Sequence, residues 1–231
     1  MAIIKLASPI TGIRGTLGGV IYSAARSGPY CRQWSRPPRQ RTAAQTTERA
    51  LWSAAPSIWR DTLTPTQRGD WNTYAAAPAQ ALTNSLGETY YAHGYAWFLR
   101  LSVHLVRMGR SIIAAAPTGS TPATPTISTF VPDSGASGST TITYPASEWS
   151  GYDMVLFTAQ SQGEGVLTKT SQFFETYLDQ SPGSSSQTFQ SEIEAVWGAI
   201  QIGQRYHLWG YRQNSEGRRS APQAISATVT A

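Results

Sequence analysis

Pro117-Thr-Gly-Ser-Thr-Pro-Ala-Thr-Pro125 divides this chain of 231 residues into two stretches with different hydrophobic periods. Its three prolines fix φ and remove backbone donors, and the residues between them are small, so it reads as a stiff, extended linker. Before it the apolar residues recur at helical spacing; behind it they alternate. The charge changes at the same place. Residues 1–116 carry thirteen Lys+Arg against four Asp+Glu, a balance of +9, and residues 117–231 carry five against nine, a balance of −4, which together give the formal +5 of the chain. All but one of the thirteen are arginine, Lys5 being the exception. Such an imbalance predicts that the N-terminal part meets something acidic, a nucleic acid or an acidic protein surface, or else that the fold simply has a basic face.

Residues 1–41 show no sustained helical or strand period. Gly12, Gly15, Gly18, Gly19, Gly28, Pro29, Pro37 and Pro38 punctuate them, which predicts an irregular, extended basic arm with one short strand at Gly19-Val-Ile-Tyr-Ser23. An arm of this composition has no interior of its own to offset its chain entropy, so it is either disordered when free or ordered against a neighbour.

Residues 42–116 read as a small helical module. The first helix runs from about Thr42 to Arg60 with Leu51, Ala55 and Ile58 on one stripe, and Pro56 predicts a kink or break. Thr64-Pro65-Thr66-Gln67 has the form of a capping box with proline at the first helical position. The second helix presents Trp71, Tyr74 and Ala75 and stops before Pro78. A third, Thr89 to Arg110, spans about 30 Å and lines up Gly94, Trp97/Phe98, Leu101, Leu105 and Met108.

Beyond the linker (117–125), residues 126–231 read as strands near 126–131, 140–144, 154–159, 172–178, 187–193, 204–213 and 224–229. Turn signals such as Pro132-Asp-Ser-Gly135, Gly163-Glu-Gly165 and Asn214-Ser-Glu-Gly217 separate them. Seven short strands in this length predict an all-β immunoglobulin-like sandwich, and the lack of a cysteine pair favours its fibronectin type III-like variety. The expected fold class is therefore α+β multidomain: arm, helical bundle, then sandwich.

The residues argue against an enzyme. Gly15-Thr-Leu-Gly18-Gly19 lacks the Gly-Lys-Ser/Thr ending of a phosphate loop. His93, His104 and His207 have no metal-ligand spacing with one another or with Cys31, the single cysteine, which reads as a buried or incidental thiol. Glu175, Asp179, Glu192 and Glu194 fall where strand faces and turns place solvated acids, and no Gly-x-Ser-x-Gly surrounds a serine. His207 is expected to be exposed. No catalytic residue, metal or cofactor is expected. No run of about twenty apolar residues is present, and the start of the chain has no signal-peptide form, so the expectation is a soluble protein made in a cytoplasm.

Two stretches carry a resemblance. Gly12-Ile-Arg-Gly-Thr-Leu-Gly-Gly-Val-Ile-Tyr-Ser23, with Arg26, Gly28, Tyr30, Arg32, Arg41-Thr42, Gln45 and Arg49, resembles the N-terminus of a widespread group of uncharacterised phage and prophage virion-type proteins. Leu63-Thr-Pro-Thr-Gln-Arg68, Trp71-Asn-Thr-Tyr74 and Thr83-Asn-Ser-Leu-Gly87, with Gly94, Phe98 and Leu101, are similar to its continuation in one branch of that group, and Gly203-Gln-Arg-Tyr206 and Gly217-Arg-Arg-Ser-Ala-Pro222 to its fibronectin-type C-terminal hairpin. The likeness covers most of residues 12–110 and residues 200–222, and Pro56 departs from the pattern. It implies a virion component and no reaction.

The functional expectation is a structural protein of a tailed-phage virion that docks through its arm and helical module onto capsid or tail subunits, forms homo-oligomers and presents the sandwich as a decoration, cement or accessory. Arg14, Arg26, Arg32, Arg36, Arg39 and Arg41 would pair with acidic side chains, and Tyr22, Tyr30 and Trp34 would anchor in pockets. The rival expectation is a DNA-binding protein on the packaged genome. Arginines interleaved with aromatics suit phosphates and bases equally well, and helices 42–60 and 64–77 imitate a helix-turn-helix.

Overall fold

A computed structural model of the protein describes residues 2–3, 14–35, 42–134, 140–167, 173–179, 182 and 184–229. The chain separates into two compact units, Met1–Val103 with Ile112–Pro117, and His104–Ser111 with Thr118–Ala231.

The first unit begins with strands β1 (Ala2–Ile3), β2 (Gly15–Leu17), β3 (Val20–Ala25) and β4 (Gly28–Gln33). They form an antiparallel sheet in the order β1-β4-β3-β2. Where the sequence predicts an irregular arm with one short strand, residues 15–33 are two linked hairpins. Gly18 and Gly19 are the cause: both have positive φ, 56° and 79°. Two such residues in succession are what a two-residue hairpin turn of matching twist needs. Glycines that argue by number against regular structure are here what allows it.

Next come α1 (Ala43–Ser57), a π-helical turn (Ile58–Thr62), α2 (Pro65–Ala76), a two-residue hairpin of β5 (Leu82–Thr83) and β6 (Thr89–Tyr90), and α3 (Gly94–Arg107). α1 continues through Pro56 rather than breaking, and the ladder widens to π just beyond it, where the Leu63 amide reaches back to the Ile58 carbonyl at 3.0 Å. The capping box at Thr64 is present in both directions, at 3.2 Å to the Gln67 amide and 2.9 Å back. α3 starts five residues later than its periodicity predicts, because Thr89 and Tyr90 pair with Thr83 and Leu82. The three helices bury Ala55, Leu63, Trp71, Phe98 and Leu101. Phe98 takes Trp59 and Trp71 at ring separations of 5.3 Å, and Trp71 donates its indole N–H to the Ala114 carbonyl at 2.9 Å.

α2 and α3 meet at Gly94. A Cβ there would lie 2.6 Å from the Trp71 carbonyl carbon and 2.7 Å from the Asn72 nitrogen, both backbone atoms that have nowhere to go. The α3 N-terminus also directs the Gly94 amide at the Asn72 side-chain oxygen, 3.3 Å away.

The second unit takes in the end of α3 and strands β7 (Thr129–Val131), β8 (Thr141–Thr143), β9 (Asp153–Ala159), β10 (Gln162–Gly163), β11 (Phe173–Asp179), β12 (Ser186–Thr188), then α4 (Gln190–Trp197), β13 (Gln204–Gln213) and β14 (Gln223–Thr228). One sheet is β12-β8-β7; the other runs β11-β9-β13-β14, with β10 beside the start of β13. Both contribute to one core: Phe130 and Ile142 from the first, Met154, Leu156, Tyr206 and Leu208 from the second, closed by Trp149, Phe189 and Ile193.

Three expectations change here. The strand read at 187–193 ends at Thr188, and Gln190–Trp197 is helical with Gln190 and Ile193 buried. Glu192, Glu194 and Ala195 favour helix, and the apolar positions 193, 196 and 197 share a helical stripe. His207 is 4% exposed, because β13 is a central strand covered on both sides. Residues 118–125 are not a free spacer: Thr118 and Gly119 donate amides to Glu216, Arg218 binds Gly119 and Thr121, and Pro122 and Pro125 are buried.

The two hairpins Asn84-Ser-Leu-Gly87-Glu88 and Asn214-Ser-Glu-Gly217-Arg218 are built alike. Each Asn side-chain oxygen accepts from the amides two and four residues on, and each Gly has φ 80°.

Polar side chains fasten residues 104–111 within this unit. Arg110 forks onto Asp153 at 2.7 and 2.5 Å, and the Asp153 side chain is 1% exposed. Glu175 accepts from Arg107 and Arg219 at 3.4 and 3.2 Å. The fully buried Gln213 amide receives Arg219 at 2.9 Å and donates to the His104 carbonyl at 3.2 Å. The hydrogen bond to Asp153 holds the Arg110 guanidinium above its ordinary pKa, whereas burial pushes Arg219 below it despite Glu175.

Two substitutions of one methyl group have opposite expected signs. Gly94→Ala should destabilise by about 1–3 kcal/mol through overpacking, while Gly69→Ala, in the exposed middle of α2 with open space around it, should stabilise by about 0.5–1 kcal/mol. Urea unfolding of both variants checks this. Arg110→Ala should cost about 3–5 kcal/mol, since it leaves the Asp153 carboxylate buried without its partner, and Arg110→Lys should fall between; the same unfolding curves measure it.

Candidate assembly interface

The residues singled out for assembly lie on and around the β1–β4 sheet. In antiparallel pairing, opposed residues project from the same face. Gly15, Tyr22 and Cys31 share one row and Thr16, Ile21 and Arg32 the next, so these two rows face opposite ways. One face therefore carries Tyr22 with Leu17, Val20 and Cys31; the other carries Tyr30 and Arg32 with Thr16, Ile21 and Ser23. The aromatic anchors are thus divided between two faces, not gathered on one.

Both faces are only partly covered: Val20, Ile21, Tyr22, Ser23, Tyr30 and Cys31 are half-buried. No residue from 14 to 35 is buried. Tyr22, Tyr30 and Cys31 are half-buried, Arg14, Arg26 and Arg32 are exposed, Leu17 is 74% exposed and Trp34 is 53% exposed. The Trp34 backbone amide donates to the Gly19 carbonyl at 2.7 Å. Arg36, Arg39 and Arg41 lie outside the described residues. Among the described residues, Arg14 and Arg32 make no ion pair.

Arg26 makes a contact within the chain. It sits in the turn between β3 and β4 and donates to the Tyr91 carbonyl at 3.0 Å, while Asn84 donates its side-chain amide to the Ser27 carbonyl at 2.8 Å. These two bonds seat the turn on the β5–β6 region. The cleft beside it, of about 300 Å³ and lined by Arg26, Asn72, Ala76, Ala92, His93 and Gly94, is at the small end of the range for ligand sites.

Sequence reasoning missed Leu17 as exposed apolar surface beside the half-buried Val20-Ile21 pair. The signal was present: a Gly-Gly dipeptide with apolar and β-branched neighbours on both sides is a hairpin signature.

The acids considered for catalysis are occupied within the fold. Glu175 is held by its two arginines, Asp179 accepts from Gln187 at 2.9 Å, Glu192 from Ser191 at 2.8 Å and Glu194 from Gln190 at 2.9 Å. Among the described residues no group of three His, Cys, Asp or Glu is placed to hold a metal, and no helix is long and apolar enough to cross a membrane. The chain matches no protein-family model and no curated protein.

Arg32→Ala and Trp34→Ala should each shift the unfolding free energy of the isolated chain by less than about 0.5 kcal/mol, as expected of exposed positions. Arg26→Ala should instead release the β3–β4 turn, seen as faster amide hydrogen exchange at Ser27 and Gly28.

Proposed function

We propose that this protein is a non-enzymatic structural component of a tailed-phage virion, made in the host cytoplasm, that docks onto capsid or tail subunits through its N-terminal sheet and helical module. The carrying observation is that residues 14–35 form an ordered sheet without burying a single residue. A small sheet of this kind gains stability when something covers it. Its exposed residues, Arg14, Arg32, Leu17 and Trp34, are of the types that supply charge pairing and anchoring at protein interfaces. The likeness of residues 12–110 to phage virion-type proteins points the same way.

The second unit we read as an immunoglobulin-like sandwich of the fibronectin type III kind, serving as decoration, cement or accessory. With β10 set aside, the first, second and fifth strands form one sheet and the third, fourth, sixth and seventh the other. The fourth strand has joined the sheet of the third, where antibody constant domains keep it with the first, second and fifth. The role given to this unit rests on fold analogy.

The alternative reading is a DNA-binding protein that contacts the packaged genome through the same arginines and aromatics. The +9 balance of residues 1–116 favours it as much as it favours an acidic protein. Co-sedimentation separates the two. A virion subunit should bind particles emptied of DNA and lose that binding when residues 1–41 are deleted. A genome binder should ignore empty particles and instead bind random duplex, with affinity falling by orders of magnitude between about 50 and 200 mM salt.

A further inference from the structure

We infer that this chain associates head to tail with further copies of itself: the sheet face of Arg32 and Trp34 in one copy docks on an apolar, acid-flanked end of the second unit in the next. This rests on reading the N-terminal sheet as an assembly element and names what covers it.

The docking face is set by register. Arg32 is opposite Ile21 and Tyr30 opposite Ser23, and the Trp34 amide bond to the Gly19 carbonyl carries the same ladder one step past Gln33. Alternate residues of a strand share a face, so Tyr30, Arg32 and Trp34 lie together with Ile21. Arg32 and Trp34 are the exposed members, a cation beside a large aromatic, both types that interfaces favour.

The second unit has the matching surface at one end. Gln162 and Gly163 pair with Arg205 and Gln204, so the chain leaving β10 and the chain entering β13 run side by side. Both turn there: the Val166 amide donates to the Gly163 carbonyl at 3.0 Å, and the Gln204 amide to the Gln201 carbonyl at 3.4 Å. These turns leave Leu167 68% and Ile202 61% exposed, with Val166 exposed beside them. α4 ends toward the same end, because its Trp197 donates its indole N–H to Thr158, near the end of the strand that leads into β10. Val196 is exposed there and shares a helical stripe with Glu192. Such a cluster of aliphatic side chains, outside the shared core of the unit, marks a contact surface.

Charge decides the occupant. Glu148, Asp153 and Glu175 are each matched by arginine. The acids at this end are not: Glu192 accepts from the neutral Ser191 hydroxyl, and Glu164 makes no side-chain hydrogen bond or ion pair among the described residues. α4 has no basic residue in its last turn, so its terminal carbonyls add to the negative potential. Residues 1–116 balance at +9 and residues 117–231 at −4. A sheet with Arg14 and Arg32 exposed is drawn to such an end and repelled by a second sheet like itself. Every copy carries one of each surface, so the contact needs no other protein and repeats from copy to copy, closing a ring or extending a filament.

Charge reversal tests the pairing. In sedimentation velocity at low salt, the full chain should form dimers and longer species that revert to monomer as salt rises. Arg14→Glu with Arg32→Glu, and in a second variant Glu164→Arg with Glu192→Arg, should each sediment as monomer. An equimolar mixture of the two variants should regain the association, since each reversed surface then meets one of opposite sign; circular dichroism melting checks that both are folded. A wild-type chain that stays monomeric, variants that associate as the wild type does, or folded variants whose mixture stays monomeric overturn the contact. Monomers that still bind empty particles defeat it alone and give the sheet to another virion subunit; associated copies that ignore empty particles defeat the virion reading alone.

Discussion

A β-sheet is held in register by its backbone hydrogen bonds, but most of its stability comes from what covers its faces. The sheet of residues 15–33 has its register and its turns with only partial cover. The polypeptide is shaped at Gly18-Gly19 and tied down at Arg26 and Ser27, so it presents its side chains in a fixed pattern. A partner that covers the face of Ile21, Tyr30 and Arg32 gains apolar contact and meets arginine at the same time, and the ordering entropy of the sheet need not be met at the moment of contact.

The arginines divide into two groups with different physical roles. Arg107, Arg110, Arg212 and Arg219 work inside the second unit: each pairs with a carboxylate, and Arg212 and Arg219 also lie over aromatic rings. Removing Arg110 would leave the buried Asp153 alone, whereas Glu175 is shared by Arg107 and Arg219, so these arginines are matters of stability to different degrees. Arg14 and Arg32 are exposed on a partly covered sheet, where a guanidinium costs little to keep and is open to any acidic surface. The surplus of positive charge before residue 117 thus overstates what is available for binding, because Arg107 and Arg110 are already used within the fold.

The second unit has the opposite economy. Its two sheets share one core, and the buried Gln213 and Asp153 have partners. Even residues 118–125, extended by composition, are held by the Asn214–Arg218 hairpin. A domain so complete in itself suits a role as a stable body, with recognition carried by the incompletely covered sheet before it.

Local signals were legible in the chain wherever the deciding interaction lies within a few residues. The Thr64–Gln67 capping box and the Asn214 turn are of this kind. The candidate interface was legible as a set of residues, since Arg14, Tyr22, Tyr30, Arg32 and Trp34 stand out by type. Tertiary structure alone decided how they are arranged: Tyr22 and Arg32 face opposite ways through strand register, Arg26 is taken by a carbonyl 65 positions away, and His207 is covered because its strand is central. Period and capping follow from neighbours in the chain, which any reading of the chain contains. Facing, pairing and burial depend on which distant segment arrives alongside, and spacing along one strand carries no record of that.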